Sequence, residues 1–328
     1  MDRPTSDAGR RRFVGALAAA PLAPFAARAQ EKYPRKNVRI VVPFTPGGFN
    51  DQLARVLAQK LGEAWGVSVL VDNRPGGGTI IGTDLVAKSA PDGHTLLITG
   101  FAFAANASLH ATLPYDPLAD FAPVSLCAAT PNLLVVNNDF PVKSVAELVA
   151  LAKAKPGQLT FASAGPGSST HLSMEWFKLR TGIDMVHVPY KGSAPSLVDV
   201  IGGRVPMTFD NTPNVIGHVR AGKLRAIAVT SPRRFAPLPN LPTVAETVPD
   251  FEVSSWFGLS APARTPVVVI ERIAQEVNRI LGLTDVRALF RDQGVETIGG
   301  SPEQFGNHLR SQIAKWGTIV KATGIRLQ

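Results

Sequence analysis

Short apolar runs alternate with amphipathic stretches along this chain, and glycine-rich turns close several of the runs. Residues 38–42 (Val-Arg-Ile-Val-Val) predict a buried strand that ends in Pro43-Phe44-Thr45-Pro46-Gly47-Gly48. A helix is predicted from about Asn50, because Leu53, Leu57 and Leu61 recur on one face at i, i+4 spacing. Residues 67–71 predict a second strand, Asn73-Arg74-Pro75-Gly76-Gly77-Gly78 a second turn, and Ile81, Leu85 and Val86 the helix after it. A third strand is expected over residues 95–98. The pattern restarts after Val135 with helix 144–155, strand 159–162, a helix from about Ser168 and strand 185–188. Helix 195–201, strand 205–209, helix 215–220 and strand 224–229 follow. A proline-rich meander then leads to an extended segment over 254–259 and two amphipathic helices, 266–281 and 302–318. Strands alternating with helices imply parallel βαβ units with right-handed crossovers. The fold class is therefore α/β, and 328 residues suffice for two such units.

Ligands of such sheets sit beyond the carboxyl ends of the strands. That rule selects the loops 45–51 and 73–79 in the first unit and 163–171 in the second, so the two units suggest a clamp. The richest loop is Phe161-Ala162-Ser163-Ala164-Gly165-Pro166-Gly167-Ser168-Ser169-Thr170-His171-Leu172. Its helix should carry Leu172, Met174, Trp176 and Phe177. The first N–H groups of a helix lack intrahelical partners, and the macrodipole leaves partial positive charge there. Glycines allow close approach and hydroxyls line the rim, which suits a small anion. A capped helix after a tight turn accounts for the same residues, and both readings stand at this point.

Residues 1–29 read as an export signal. Arg10, Arg11 and Arg12 precede Phe13, an alanine-rich apolar run follows, and Ala27-Arg28-Ala29 supplies an A-x-A cleavage site. The Arg-Arg-x-Phe spacing suggests the twin-arginine route, with the general secretory route as the alternative. Pro21 and Pro24 interrupt a run already too short to span a bilayer. The net charge of +9 falls to +6 once the leader, with five Arg and two Asp, is set aside. The remaining basic residues are scattered, which argues against nucleic acid and is compatible with an anionic ligand. The single cysteine, Cys127, excludes an internal disulfide and is expected to be buried. Six histidines without paired ligand spacing give a metal site no support. Gly76-Gly77-Gly78 with Gly82 does not match the G-x-G-x-x-G dinucleotide fingerprint, and no cofactor is expected. The competing enzyme reading is an exported serine hydrolase with Ser163 as nucleophile. Phe161, however, stands where a nucleophile elbow needs glycine.

Several segments together resemble the periplasmic solute receptors of tripartite tricarboxylate transporters, also called the Bordetella uptake gene (Bug) family. They begin with Val42-Pro43-Phe44-Thr45-Pro46-Gly47-Gly48-Phe49-Asn50-Asp51, Asp72-Asn73-Arg74-Pro75-Gly76 and Pro91-Asp92-Gly93-His94-Thr95. Leu113-Pro114-Tyr115-Asp116-Pro117, residues 162–172 with Glu175, and His187-Val188-Pro189-Tyr190-Lys191-Gly192 follow in family order. Leu241-Pro242-Thr243, Ser255-Trp256-Phe257-Gly258 and Ala261-Pro262 complete the match. The resemblance implies a two-lobed, type II Venus-flytrap fold hinged on two crossover strands near residues 127–134 and 253–258. Lobe 1 would take residues 31–128 and 256–328, and lobe 2 residues 129–255. It further implies a periplasmic monomer that holds a small carboxylate without altering it. That ligand would be a mono-, di- or tricarboxylate, with aromatic and amino acids included, and would pass to the transporter's membrane permease subunits. Carried over by residue, the ligand-binding positions are Phe44, Thr45, Gly47, Gly48, Phe49 and Asp51 in lobe 1, with Ser163, Gly167, Ser168, Thr170, His171 and Asp210 in lobe 2. Thr45, Phe49, Asn50 and Thr79 depart from the family pattern. Thr45 adds a hydroxyl, and Phe49 could either offer a ring to a ligand tail or pack on its lobe. Asp51 could accept from a ligand or cap the helix beside it. His171 could face the ligand or brace the turn, and Tyr190 and Lys191 could reach the cleft.

Overall fold

The computed structural model describes residues 33–323. The expected export signal over residues 1–29 and its expected cleavage point near Ala29 lie outside the described residues. In chain order the elements are β1 (Val38–Val42), α1 (Phe49–Trp65), β2 (Val69–Asn73), α2 (Ile80–Ala87), β3 (Thr95–Gly100), α3 (Phe101–Leu109) and β4 (Phe121–Val136). Next come α4 (Val145–Ala154), β5 (Thr160–Ser163), α5 (Ser169–Thr181), β6 (Val186–Pro189), α6 (Ser193–Ile201), β7 (Met207–Asn211), α7 (Thr212–Arg220) and β8 (Arg225–Val229). The chain closes with β9 (Ser254–Pro262), α8 (Val267–Leu281), α9 (Thr284–Asp292), β10 (Glu296–Thr297) and α10 (Pro302–Thr323).

The strands run in the order β2-β1-β3-β9-β4-β7-β5-β6, with β8 and β10 also paired to β4. β1 pairs in parallel with β2 and β3, and β5 in parallel with β6 and β7, as strand–helix alternation requires. The two parallel sets meet on β4. Residues 121–131 of β4 pair with β9, while residues 132–136 pair with β7 and β8. Register slips at Pro123/Ser125, Leu126/Ala128 and Leu134/Val135 mark bulges, which bend a strand and increase its twist. The chain returns beside this crossing: Thr230 N–H donates to Asn132 O at 2.9 Å, and Val253 N–H to Thr230 O at 3.2 Å, just before β9 begins. One strand shared by two α/β halves gives the two-lobed form expected of the fold class.

Burial follows the helical period. Leu53, Leu57 and Leu61 of α1 are fully buried against Ile273, Val277 and Ile280 of α8. Truncating any of these to alanine costs about 2–5 kcal/mol. Cys127 is fully buried, and burial pushes its thiol up to about 12, so it behaves as a small hydrophobe. Two helices lie where none was expected. α3 reads Phe-Ala-Phe-Ala-Ala-Asn-Ala-Ser-Leu and is buried on nearly all sides, so it carries no polar stripe to betray its period. α9 is short and rests on Val286 and Phe290. β2 begins two residues later than expected, because its polar end, Asp72-Asn73, is held by the pairing Val41↔Asp72 and Val42↔Asn73.

Candidate functional site

The loop between β1 and α1 is folded around a carboxylate. Gly47 takes φ +93°, a conformation that favours glycine, and its N–H donates to Asp51 Oδ2 at 3.1 Å. Arg55 Nε donates to the same oxygen at 2.9 Å, and Asn73 Nδ2 donates to Asp51 Oδ1 at 3.0 Å and to Phe44 O at 3.1 Å. Burial alone would raise the Asp51 carboxyl, but these hydrogen bonds hold it below the usual carboxylate range. Asp51 therefore braces the loop from behind. The loop's opposite side presents Gly48, Phe49 and Asn50 at the start of α1.

The β5–α5 loop is also closed on itself. Ser168 is the N-cap of α5, its Oγ accepting from His171 N–H at 3.3 Å and donating to Gly165 O at 2.6 Å. That donation uses the only hydroxyl proton of Ser168, so Thr170 is the donor in their 2.8 Å contact, while Thr170 Oγ1 accepts from Ala164 N–H. Among the described residues, no group within the chain accepts from the N–H of Ser169 or Thr170. Below the loop, His171 Nδ1 accepts from Gly167 N–H, and the His171 ring stacks on His187 with centroids 4.0 Å apart. Burial, His187 and Lys178 together lower His171 to about 3, and burial with Lys178 lowers His187 to about 4. Both rings are neutral at physiological pH.

A cavity of about 480 Å³, its solvent mouth included, opens between the two loops. Five helices point their N-termini at it. α1 contributes Gly48, Phe49 and Asn50; α3 contributes Gly100, Phe101 and Ala102; α5 contributes Ser168, Ser169 and Thr170. α6 adds Ser193, and α7 adds Asn211 and Asn214. Ser255, Trp256 and Phe257 of β9 complete the wall. Among the described residues no charged side chain lines the cavity, so its positive character is carried by aligned peptide dipoles. A buried polar cluster beneath it links β4, α5, β7 and β9. Asn211 Nδ2 donates to Asn132 Oδ1 at 2.6 Å and to Ser255 Oγ at 2.6 Å, and Ser255 Oγ lies 2.6 Å from Ser169 Oγ.

Of the expected ligand positions, Phe44, Thr45, Gly48, Phe49, Ser168 and Thr170 line the cavity. Gly47, Asp51, Ser163, Gly167, His171 and Asp210 do not; they stand behind the lining and hold it. Phe49 is wedged between Phe257 (4.7 Å) and Phe290 (5.4 Å), so its ring belongs to the lobe's core and only an edge meets the cavity. Asp210 is fully buried: Oδ1 accepts from Ser193 Oγ, Asn211 N–H and Asn214 Nδ2 at 2.7–2.8 Å, and burial raises the carboxyl to about 6 despite these bonds. Tyr190 turns to Asp199, donating at 2.6 Å, while the backbone oxygen of Lys191 meets the first-lobe loop. Asn211, which like Asp210 ends a strand and was expected near the cleft, lines the cavity, whereas Asn214, Ser193 and the α3 N-terminus were not anticipated as lining. Their signal was positional only, since each follows the carboxyl end of a strand or a strand-end turn. Thr79 adopts φ +85° where glycine would be unstrained, and its Oγ1 accepts from Asn106 Nδ2 at 3.3 Å.

The hydrolase reading meets a specific obstacle. Ser163 Oγ does lie 2.6 Å from His187 Nε2, but Ser163 is fully buried, and Gly165 N–H donates to the same oxygen. The His187 ring is packed between Phe161 and His171, and among the described residues no carboxylate orients it. The pair secures the loop, and neither residue lines the cavity.

The model of the tripartite tricarboxylate transporter family receptor matches residues 53–325. This chain belongs to that receptor family. It is 40% identical to the protein BugT of Bordetella pertussis over 301 residues, covering 91% of this chain and 92% of BugT. The structure of R. palustris Rpa4515 with adipate superposes with TM-score 0.87 at 41% identity, covering 90% of this chain and 99% of that one. MatC from Rhodopseudomonas palustris with bound malate gives TM-score 0.85 at 30% identity, covering 88% of this chain and all of that one. The family is one of solute-binding receptors.

Proposed function

We propose that this receptor captures a small carboxylate in the interlobe cavity and delivers it to the membrane permease of a tripartite tricarboxylate transporter. The observation that carries the reading is the convergence of five helix N-termini on one cavity without a cationic side chain. Each such end favours an anion by about 0.3–1 kcal/mol, and more where partly buried. The adipate and malate held by the two structural neighbours fit that electrostatic character. We place lobe 1 at residues 31–128 with 256–328 and lobe 2 at residues 129–255, hinged where β4 and the segment entering β9 cross. Residues 1–29 would direct export to the periplasm, and the receptor would act as a monomer.

A thermal-shift panel of mono-, di- and tricarboxylates, with adipate and malate included, tests the reading, because a ligand of the folded state raises the melting temperature by mass action. Stabilisation by at least one carboxylate and by none of the corresponding amides is expected. No shift across the panel, with isothermal titration agreeing, would refute it.

A further inference from the structure

Two hydrogen bonds cross directly from the first-lobe loop to the second lobe. Thr45 N–H donates to Lys191 O at 3.2 Å, and Phe49 N–H donates to the side-chain Oδ1 of Asn214 at 2.9 Å. The second is unusual because its acceptor is a side chain held in one orientation. Asn214 Nδ2 donates to Asp210 Oδ1 at 2.8 Å, four residues back on the end of β7. Turning the amide over would set an NH₂ against the Phe49 N–H and an oxygen against the Asp210 carboxylate. Donor would face donor and acceptor would face acceptor. Asp210 is itself immobile, fully buried and holding Ser193 Oγ and Asn211 N–H on the same oxygen.

Phe49 is the first residue of α1, and its N-cap, Gly48, has no side chain to cap the helix. Asn214 thus caps a helix of the opposite lobe. The backbones approach closely on both flanks of this contact. A side chain on Gly192 would collide with Thr45 Oγ1, and a Cβ on Gly78 would lie 2.9 Å from Pro166 O. Both Phe49 and Asn214 line the cavity, and their bond spans it from α1 to α7.

We propose that Asn214 is the closure latch of this receptor, a positioning residue that Asp210 orients and that caps α1 across the cleft only when the lobes come together. The proposal rests on the receptor reading above. Asparagine accepts from Phe49 N–H through Oδ1 and donates to Asp210 through Nδ2, two separate atoms on one short side chain. Aspartate accepts only and would face the Asp210 carboxylate, and alanine makes neither bond.

Single-molecule energy transfer between dyes on Gln59→Cys and Lys153→Cys reads the lobe separation, since both positions are exposed and the native Cys127 is buried beyond labelling. Asn214→Ala is expected to shift the ligand-free distribution toward the open separation. It should also raise the dissociation rate of adipate about three- to tenfold while leaving its association rate unchanged. Asn214→Asp should do both more strongly. Asn214→Leu, similar in size and without hydrogen-bonding atoms, carries the same readout should the alanine variant fail to fold by circular dichroism. A wild-type distance distribution and dissociation rate in these variants would overturn the latch, as would a single separation in every protein. Should adipate and malate fail to bind the wild type, the carboxylate reading falls, and the ligand-free distributions still decide the latch.

Discussion

Lowering the pH from 7 to 5 should destabilise this receptor, and the stacked pair His171 and His187 sets the size of the effect. Their ordinary value is 6.5, and the folded protein holds them at about 3 and about 4. A folded pKa below the unfolded one means that the unfolded chain takes the proton first as pH falls. The stabilisation is therefore complete above about 6.5 and is lost progressively toward the folded values. Between pH 7 and pH 5 each ring loses about 2 kcal/mol, from 1.36 kcal/mol per pKa unit weighted by occupancy. Asp210 acts with the opposite sign. Its carboxyl rises from 3.8 to about 6, so the folded state takes that proton first. This returns about 1 kcal/mol over the same interval. The two histidines win, leaving a net loss of about 3 kcal/mol, to which His110 and His308, both lowered by burial, add in the same direction. Asp51 titrates below this interval and contributes nothing there. Urea unfolding at pH 7 and pH 5 measures the difference as a fall in midpoint at constant slope. His187→Gln, which keeps a polar partner for Ser163 and cannot charge, should remove about 2 kcal/mol of the dependence. Equal or greater stability at pH 5 would refute the assignment of the pair as buried and neutral.

Ser168→Ala removes the cap of α5 and the acceptor of His171 N–H, so stability should fall by about 1 kcal/mol. Adipate affinity should fall by about 1–3 kcal/mol, because the helix turn facing the cavity loses its anchor; calorimetry that finds unchanged affinity removes this loop from the site. Ala102→Asp sets a carboxylate in the first turn of α3, inside the cavity. At roughly 5 Å and an effective dielectric constant of about 20, repulsion of a bound carboxylate amounts to about 3 kcal/mol. Affinity should fall by about that amount in a variant that circular dichroism shows to be folded, with some loss of melting temperature because Ala102 is buried; retained affinity would show that the α3 N-terminus does not face the ligand. Asp51→Ala leaves Gly47 N–H, Asn73 Nδ2 and Arg55 without their shared acceptor, which should cost about 1–3 kcal/mol in denaturant unfolding; a neutral result would mean that the loop does not depend on this carboxylate.

The strand and helix alternation was legible because each α/β unit repeats one pattern, and the three strand-end loops followed from it. Gly48, Ser168 and Thr170 lie in those loops, while Phe44 came only from the family resemblance. What sequence could not separate was the lining from its support. Asp51, His171 and Asp210 carry the side chains that look most like ligand contacts, yet each is turned away by bonds to its own loop or to neighbouring elements. A polar side chain at a helix start satisfies local backbone groups before any ligand arrives. α3 was invisible for the converse reason, being apolar on every face. Asn214 had only its place after a strand end as a signal, since its partner Phe49 lies 165 residues away in the chain.

On the lobe boundaries proposed above, α1 and α3 fall in the first lobe and α5, α6 and α7 in the second, a division of helix ends that would make binding and closure one event. Each end carries about half an elementary positive charge. Closing an empty cavity therefore gathers like charges from both lobes into a space that excludes water, where their repulsion grows. A carboxylate reverses the sign of that interaction, and it can touch both sets of ends only in the closed form. A ligand shifts a conformational equilibrium by no more than its differential affinity for the two states. Here nearly all of the anion's interaction with the far lobe is differential, because it is absent when the lobes are apart. Arginines would bind more tightly, but they would hold the anion on one lobe while open and bury unpaired charge when empty. Peptide dipoles, with one amide oxygen from Asn214 as a partial substitute for the ligand, keep capture reversible.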